Sequence, residues 1–400
     1  MKLNHTFKGK RWNFRITPAR LGMLAVFLVT LVLIFARYYA GLGYWTNLND
    51  EMPWGAWIGA DMNVIALAGA GFGTAIITHI FHAEKYEPVS RRCLLMSFIG
   101  YVLVLLILII EIGRWDNFWR PFVSPGVHSP MFEVYMCIVA YMILQVIELI
   151  EVGAEKVAPK FKKKMQPIMQ IVFIAACTVP LGHQASLGSL YLGMPAKLDA
   201  IWGTQMMPWL FVFSSFFVGP CVAIVEYIWT NSRYKMKIDN DMLYGLSRIS
   251  AVCMAIYFVL KSADLVIRGQ VGNVFSFTLE GNMFILEMVL LCVLPIVIHL
   301  IPFGKTTPGL LAFGLSGMFG LICTRLNVVF TGMSAHIASL GGSYFPHWME
   351  IFSTVGLFCL AFLAYLYITE NFPFFFGLPG DANGKPEVED DGNEFHQAIM

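Results

Sequence analysis

The sequence predicts an all-α polytopic membrane protein of about ten transmembrane helices, two parallel-repeat four-helix bundles with two peripheral helices. Three observations predict it. Of 400 residues, 57% are hydrophobic and 13% charged, with mean hydropathy +0.66, a balance that leaves a water-soluble domain without enough polar surface. Apolar runs near the roughly 20 residues that cross a bilayer recur at 19–39, 54–81, 93–112, 131–149, 166–187, 206–229, 247–267, 283–300, 308–330 and 348–368. A weak internal echo relates the middle eight: Pro53-Trp54 to Pro208-Trp209, Glu111 to Asp264 and Met131-Phe132 to Met283-Phe284, at offsets of 155, 153 and 152 residues. A near-constant offset over an even number of spans implies two bundles in the same orientation, 54–187 and 206–330.

The first span follows a basic segment, 1–18, expected to be cytoplasmic. Its apolar run begins at Leu21 and continues into Arg37-Tyr38-Tyr39 without a small-residue cleavage pattern, so it is expected to remain as a span. Cytoplasmic loops retain Lys and Arg. With the N-terminus inside, twenty basic residues fall on the inner side, among them Lys85, Arg91, Arg92 and the five lysines from Lys156 to Lys164; four, Arg114, Arg120, Lys197 and Arg268, fall outside. This predicts a multi-pass protein of the cytoplasmic (inner) membrane with both termini cytoplasmic. The last span leads into a polar, acidic tail, 369–400, carrying Glu387, Glu389, Asp390 and Asp391. The basic residues lie between spans rather than on one surface, which argues against nucleic acid.

The eight cysteines stand singly without Cys-x-x-Cys, which excludes the usual iron–sulfur and zinc ligand patterns. Haem b needs facing histidines. His79, His82 and His299 lie toward inner ends and His183 toward the outer side, so no pair sits at matched depth; no haem or metal is expected.

Ionisable groups inside spans are costly and usually mark function. Here they are Asp61, Glu111, Glu133, His183, Lys261, Asp264, Glu287 and Arg325, with Arg114 and Arg268 just beyond span ends. All fall toward the outer side in this topology, which predicts a polar cavity near the outer face. Around His183 the chain reads Pro180 to Ser189 with Gln184 and Ser186, a set that suits a quinone head group: donors for its carbonyl oxygens and a group that exchanges protons near neutral pH. A helix-packing motif would use the same residues. Glu111 and Glu133 are either protonated acids of a relay or partners of Arg114 and Arg268. Lys261 and Asp264, three apart on one face, are expected to form an internal ion pair. Most tryptophans fall at outer span ends, as interfacial anchors do.

Together, Leu48 to Ile58 with Asp61, Glu111-Ile-Gly-Arg114, Phe132-Glu133, His183 to Ser189, Asp264 to Arg268 with Glu287, and Gly341 to Trp348 with Glu350 resemble the NrfD/PsrC family. The likeness is greatest to its HybB-like branch, which includes membrane subunits of hydrogenase-2 type enzymes and the DsrP subunit of DsrMKJOP complexes. The resemblance runs over nearly the whole chain. It implies a quinone-reactive subunit, acting only within a multi-subunit complex, that docks a ferredoxin-type iron–sulfur subunit on the outer face and exchanges electrons with a quinone, expected to be menaquinone. By position, Glu133 and His183 match the family's quinone and proton-path residues, with Asp61, Glu111 and Arg114 as neighbours. Glu133→Gln is accordingly expected to abolish quinone-linked turnover. The acidic tail matches no family motif and leaves open a cytoplasmic partner. Two rival readings remain at this point, a secondary transporter, which also uses parallel repeats and buried carboxylates, and a purely structural anchor.

Overall fold

The computed structural model of the protein describes residues 2–371 apart from 8, 9, 51, 82 and 235. Nearly all of the acidic tail therefore lies outside the described residues. Ten helices are long and apolar enough to cross a membrane: α1 Pro18–Ala40, α2 Ala56–Thr78, α3 Glu87–Glu111, α4 Pro130–Glu151, α5 Pro167–Leu192, α6 Met207–Arg233, α7 Asn240–Ile267, α8 Leu279–Leu300, α9 Thr307–Ser339 and α10 Trp348–Asn371. Each falls on one of the ten expected spans.

Three differences from the expected spans have physical causes. Helix α3 begins at Glu87 rather than 93 because Arg92 is accommodated inside the protein: its guanidinium donates to Asn231 Oδ1 (2.7 Å) and Thr230 Oγ1 (3.2 Å) and lies 4.7 Å from the Tyr227 ring centre. Helix α7 begins at Asn240, where the Asp239 side chain accepts the Met242 N–H as an N-cap. Helix α9 runs on to Ser339 through a π-helical turn, Asn327–Thr331. The basic N-terminal segment is not plain coil: strands β1 Lys2–Phe7 and β2 Lys10–Arg15 pair antiparallel, the one departure from all-α structure among the described residues.

Helices α2, α3, α4 and α5 contact one another in a closed ring, and so do α6, α7, α8 and α9. The rings meet where α2 and α5 pack on α6 and where α9 packs on α2, while α1 and α10 pair with each other and lie against α2 and α3. Burial follows this plan. In its most apolar stretch α2 is 83% buried and α6 67%, against 11% for α1, so polar side chains on α2 and α6 are held in protein while α1 faces outward. The crossing of α2 and α6 depends on small residues: a Cβ at Gly219 would sit 3.1 Å from the Gly69 carbonyl oxygen and 3.2 Å from Ala70 Cα, the close backbone approach that Gly permits between membrane helices.

Candidate functional site

In the α2–α5 ring, buried polar groups come from three helices. Asp61 on α2, Tyr101 on α3 and His183 and Gln184 on α5 are each at most 4% exposed. Tyr101 Oη lies 3.5 Å from His183 Nδ1, and the two rings meet edge to face at 5.7 Å. Gln184 donates to the Ile65 carbonyl (3.3 Å), which ties α5 to α2, and Ser186 bonds back to Gly182 O of its own helix. Asp61 Oδ1, His183 Nε2 and Gln184 Oε1 are buried and make no hydrogen bond with the described residues. A buried polar atom left so costs about 1–3 kcal/mol, so a cluster of three is a place to look for function.

Glu111 ends α3 with both carboxylate oxygens buried and no side-chain partner, the Gly55 N–H being the backbone donor nearby. It lies within electrostatic reach of Asp61, Glu350 and Arg37, and Asp61 is within reach of Tyr101 as well. Arg37, buried on α1, does not bond the Glu111 carboxylate; it donates to the backbone carbonyls of Glu111 (3.3 Å) and Ile112 (2.8 Å), closing the C-terminus of α3 with positive charge. Glu350, wholly buried in the first turn of α10, is the best-satisfied acid of this end. It accepts from the N–H groups of Asn47 and His347 (3.1 Å each), from Ala56 N–H at the start of α2 (3.2 Å) and from Tyr344 Oη (2.6 Å). Burial and the Glu350 carboxylate push the Tyr344 phenol up from its ordinary value. Gly55 lies beneath this clamp, where a Cβ would approach Glu350 Oε2 to 2.8 Å. The sequence reading gave neither Arg37 nor Glu350 a role. The available signal was an arginine inside an apolar span and an acid in a helix's first turn.

Away from His183, polar groups continue as a column. The Tyr101 and Tyr141 rings pack edge to face at 4.6 Å, Tyr141 Oη is 3.3 Å from Ser97 Oγ, and Gln145 donates to Ser97 (2.7 Å). One turn beyond on α4 lies Glu148, which lines a cavity of about 240 Å³ together with Tyr141, Ser90, Arg91, Glu87 and Glu151. The column thus leads from His183 toward the end of the bundle where α3 begins and α4 ends.

The α6–α9 ring holds a second cluster, and here one expectation is corrected. Lys261 does not pair with Asp264. It bonds Glu287 of α8 at 2.5 Å, while Asp264, one turn nearer the helix end, pairs with Arg268 (2.7 Å) and accepts from Thr204 (2.7 Å). The reason is depth: Lys261 is 5% exposed and Glu287 fully buried, so each needs the other, whereas Asp264 is within reach of the loop residues. Trp202 Nε1 (3.3 Å) and Asn327 Nδ2 (2.8 Å), the latter on the π-helical turn of α9, also donate to Glu287 Oε2. Arg325 lies 3.5 Å over the Phe211 ring and donates to Ser214, Ser215 and the Phe211 carbonyl. A cavity of about 10 Å³, room for one water, is walled by Trp202, Tyr257, Lys261, Asp264, Arg268 and Arg325.

Glu133 and Arg114 do not join either cluster. Glu133 is exposed in the first turn of α4, and Arg114 is exposed and paired with Asp116 (3.2 Å); Arg268 is taken by Asp264, so neither arginine pairs with Glu111 or Glu133. Among the tryptophans, Trp115, Trp119, Trp209 and Trp348 are about half exposed or more, while Trp57 and Trp202 are buried and donate to Ser353 and Glu287. Among the described residues no group of three or more His, Cys, Asp or Glu could hold a metal ion.

A family model described as polysulphide reductase, NrfD, matches residues 45–337, from the loop before α2 to within α9. The chain is 26% identical over 353 residues to a probable Ni/Fe-hydrogenase 2 b-type cytochrome subunit of Escherichia coli K12, covering 86% of this chain and 89% of that one. It is 23% identical over 398 residues to a selenate reductase subunit of Mesobacillus selenatarsenatis, covering 87% and 92%. It is also 24% identical over 238 residues to the integral membrane subunit of menaquinone reductase of Nitratidesulfovibrio vulgaris Hildenborough, covering 56% of each.

Proposed function

The chain belongs to the polysulphide reductase NrfD family, and on that premise we propose that it is the quinone-reactive membrane subunit of a respiratory redox complex. Electrons pass between a quinone, menaquinone by analogy with the N. vulgaris relative, and an iron–sulfur partner docked at the end where α2 begins and α3 ends. Reduction takes two electrons from the partner and two protons, converting both quinone carbonyls to hydroxyls; oxidation is the reverse. The positive-inside rule sets this end outside and both chain termini in the cytoplasm. The two helix rings are then the two halves of a parallel repeat.

One observation carries the reading: three helices bring Asp61, Tyr101 and His183 together in the protein interior with Asp61 Oδ1 and His183 Nε2 unbonded. His183 is wholly enclosed, so its role is to exchange protons with the site rather than to form its open wall; Asp61 and Glu111 extend the exchange toward the docking end. Gln184 positions His183 through its bond to α2. Lys261, Glu287, Asp264, Arg268 and Arg325 hold the second ring together.

The E. coli relative is named a b-type cytochrome subunit. Haem b takes two axial histidines. Here His183 packs on Tyr101 in one ring, while His299 stacks on Tyr244 at 4.6 Å and lies 3.0 Å from Ser247 Oγ in the other. These two stand in different rings and are not a facing pair, and the proposed reaction has no step through haem.

The test is quinol-linked electron transfer by the assembled complex carrying His183→Gln. Turnover should fall by at least about a hundredfold with the partner subunits still co-purifying. Parental turnover in that variant would overturn the reading.

A further inference from the structure

A third cavity, of about 390 Å³, lies between α2, α3, α6, α9 and α10, on the side of α2 and α3 away from His183. That volume is in the range of small-molecule sites. Its walls are Val64, Leu67, Gly100, Leu103, Val222 and other apolar side chains, with four aromatic residues, the buried Tyr365 and Trp229, Phe358 and Phe362 at 36%, 45% and 38% exposure. The cavity is therefore open laterally, on the face that meets lipid, between α6 and α10. At its inner end is one acid, Glu226, 5% exposed. Its Oε1 accepts from Tyr365 Oη (2.5 Å) and Thr230 Oγ1 (3.0 Å), while Oε2 is buried and makes no hydrogen bond with the described residues.

We propose that this cavity is a binding site for a neutral, ring-bearing lipid of the quinol class, whose hydroxyl bonds Glu226 Oε2 and whose isoprenoid tail leaves past Trp229 and Phe362. Three features select that chemistry. Aromatic walls suit a flat ring. A buried acid oxygen needs a donor, which a hydroxyl supplies. None of the described wall residues is Lys or Arg; Arg92 beside Glu226 is already bonded to Thr230 and Asn231 and Arg233 lies over the Trp229 ring, so the cavity wall itself offers a phosphate no counter-charge. The site faces lipid in the region of Arg92, Glu226 and Arg233, toward the end of the bundle opposite to Glu111, and is separate from the His183 cluster. It needs no redox step, so it stands independently of the reading above.

The experiment is anaerobic photolabelling of the full chain in detergent with a naphthoquinol carrying a diazirine on a geranyl tail, followed by peptide mapping. Labelling of 222–229 and 358–365 is expected, competed by menaquinol-4 and not by dioleoyl phosphatidylglycerol. Ala361→Phe, which fills the cavity, and the near-isosteric Glu226→Gln should each lower it about tenfold, while His183→Gln leaves it unchanged. Absence of label from these two segments, competition by the phospholipid, or parental labelling in Glu226→Gln would each overturn the proposal. If Ala361→Phe does not fold, Glu226→Gln alone decides. Label on α5 reports the other site and is scored separately.

Discussion

In the α6–α9 ring, Glu287 is met on both oxygens, by Lys261 on one and by Asn327 on the other, with Trp202 bridging. In the α2–α5 ring, Asp61 and the carboxylate of the half-buried Glu111 have no cation bonded to them, and His183 has only a long contact to Tyr101. The buried acids are thus satisfied in one ring and left open in the other, although Arg325 Nε and Nη1 in the second ring also make no hydrogen bond with the described residues. A buried ion pair that is complete resists change, because removing one partner strands the other charge. Open polar groups cost stability where they stand and can be altered at little structural expense. On the proposed reading the second ring holds the structure and the first exchanges protons.

The largest expected effect breaks the satisfied side. Lys261→Met leaves Glu287 buried without its cation and should cost about 3–5 kcal/mol, read as a fall in the thermal midpoint of the detergent-solubilised protein. Lys261→Met with Glu287→Leu should recover most of the loss, since replacing a whole buried pair by apolar groups is often neutral. A single variant as stable as the parent would remove the distinction between the rings.

On the open side stability and activity should separate. Asp61→Asn keeps the size of an unpaired buried acid, so the thermal midpoint should stay level or rise, while quinol-linked turnover of the assembled complex falls by about a hundredfold or more, the scale of a lost proton-transfer group. Equal losses of stability and turnover would make Asp61 a packing residue. A smaller effect is expected at Tyr101→Phe. It keeps the ring against Tyr141 and removes only the hydroxyl facing His183, so turnover should drop roughly tenfold, below the about 10²–10⁴ range of a group that transfers the proton itself. The solvent isotope effect should rise in the same variant, and an unchanged one would detach the Ser97–Tyr141–Gln145 column from the chemistry.

Legibility in the sequence divides along the same line. All ten spans could be read because bilayer thickness imposes a length and an apolar composition that each span meets by itself; the misjudged start of α3 came from counting Arg92 as solvated when Thr230, Asn231 and Tyr227 surround it. Asp61, His183, Lys261 and Glu287 stood out because a titratable group in an apolar run is rare. Which of them meet was hidden: Lys261 bonds a residue 26 positions away rather than the one three away, and the π-helical turn that brings Asn327 to Glu287 leaves no local mark. Ser97, Tyr101, Tyr141 and Gln145 drew no notice, since such residues are ordinary in membrane helices and mean something only once stacked in a column.

The smallest expected effect sharpens the comparison at its least settled residue. By sequence and by family resemblance, Glu133 belonged with His183, and Glu133→Gln was expected to abolish turnover. Its carboxylate instead stands exposed on the first turn of α4, with no hydrogen bond or ion pair among the described residues, where a substitution of equal size ordinarily changes free energy by no more than about 0.5 kcal/mol. If proton exchange runs through the enclosed cluster, Glu133→Gln should keep quinol-linked turnover within about twofold of the parent, and its thermal midpoint should not move. A loss as deep as that of Asp61→Asn would instead put the quinone ring against the outer surface of α4. The open polar atoms of Asp61 and His183 would then serve a proton path behind a lipid-facing site, and the two rings would differ in what lies outside them as much as in what they enclose.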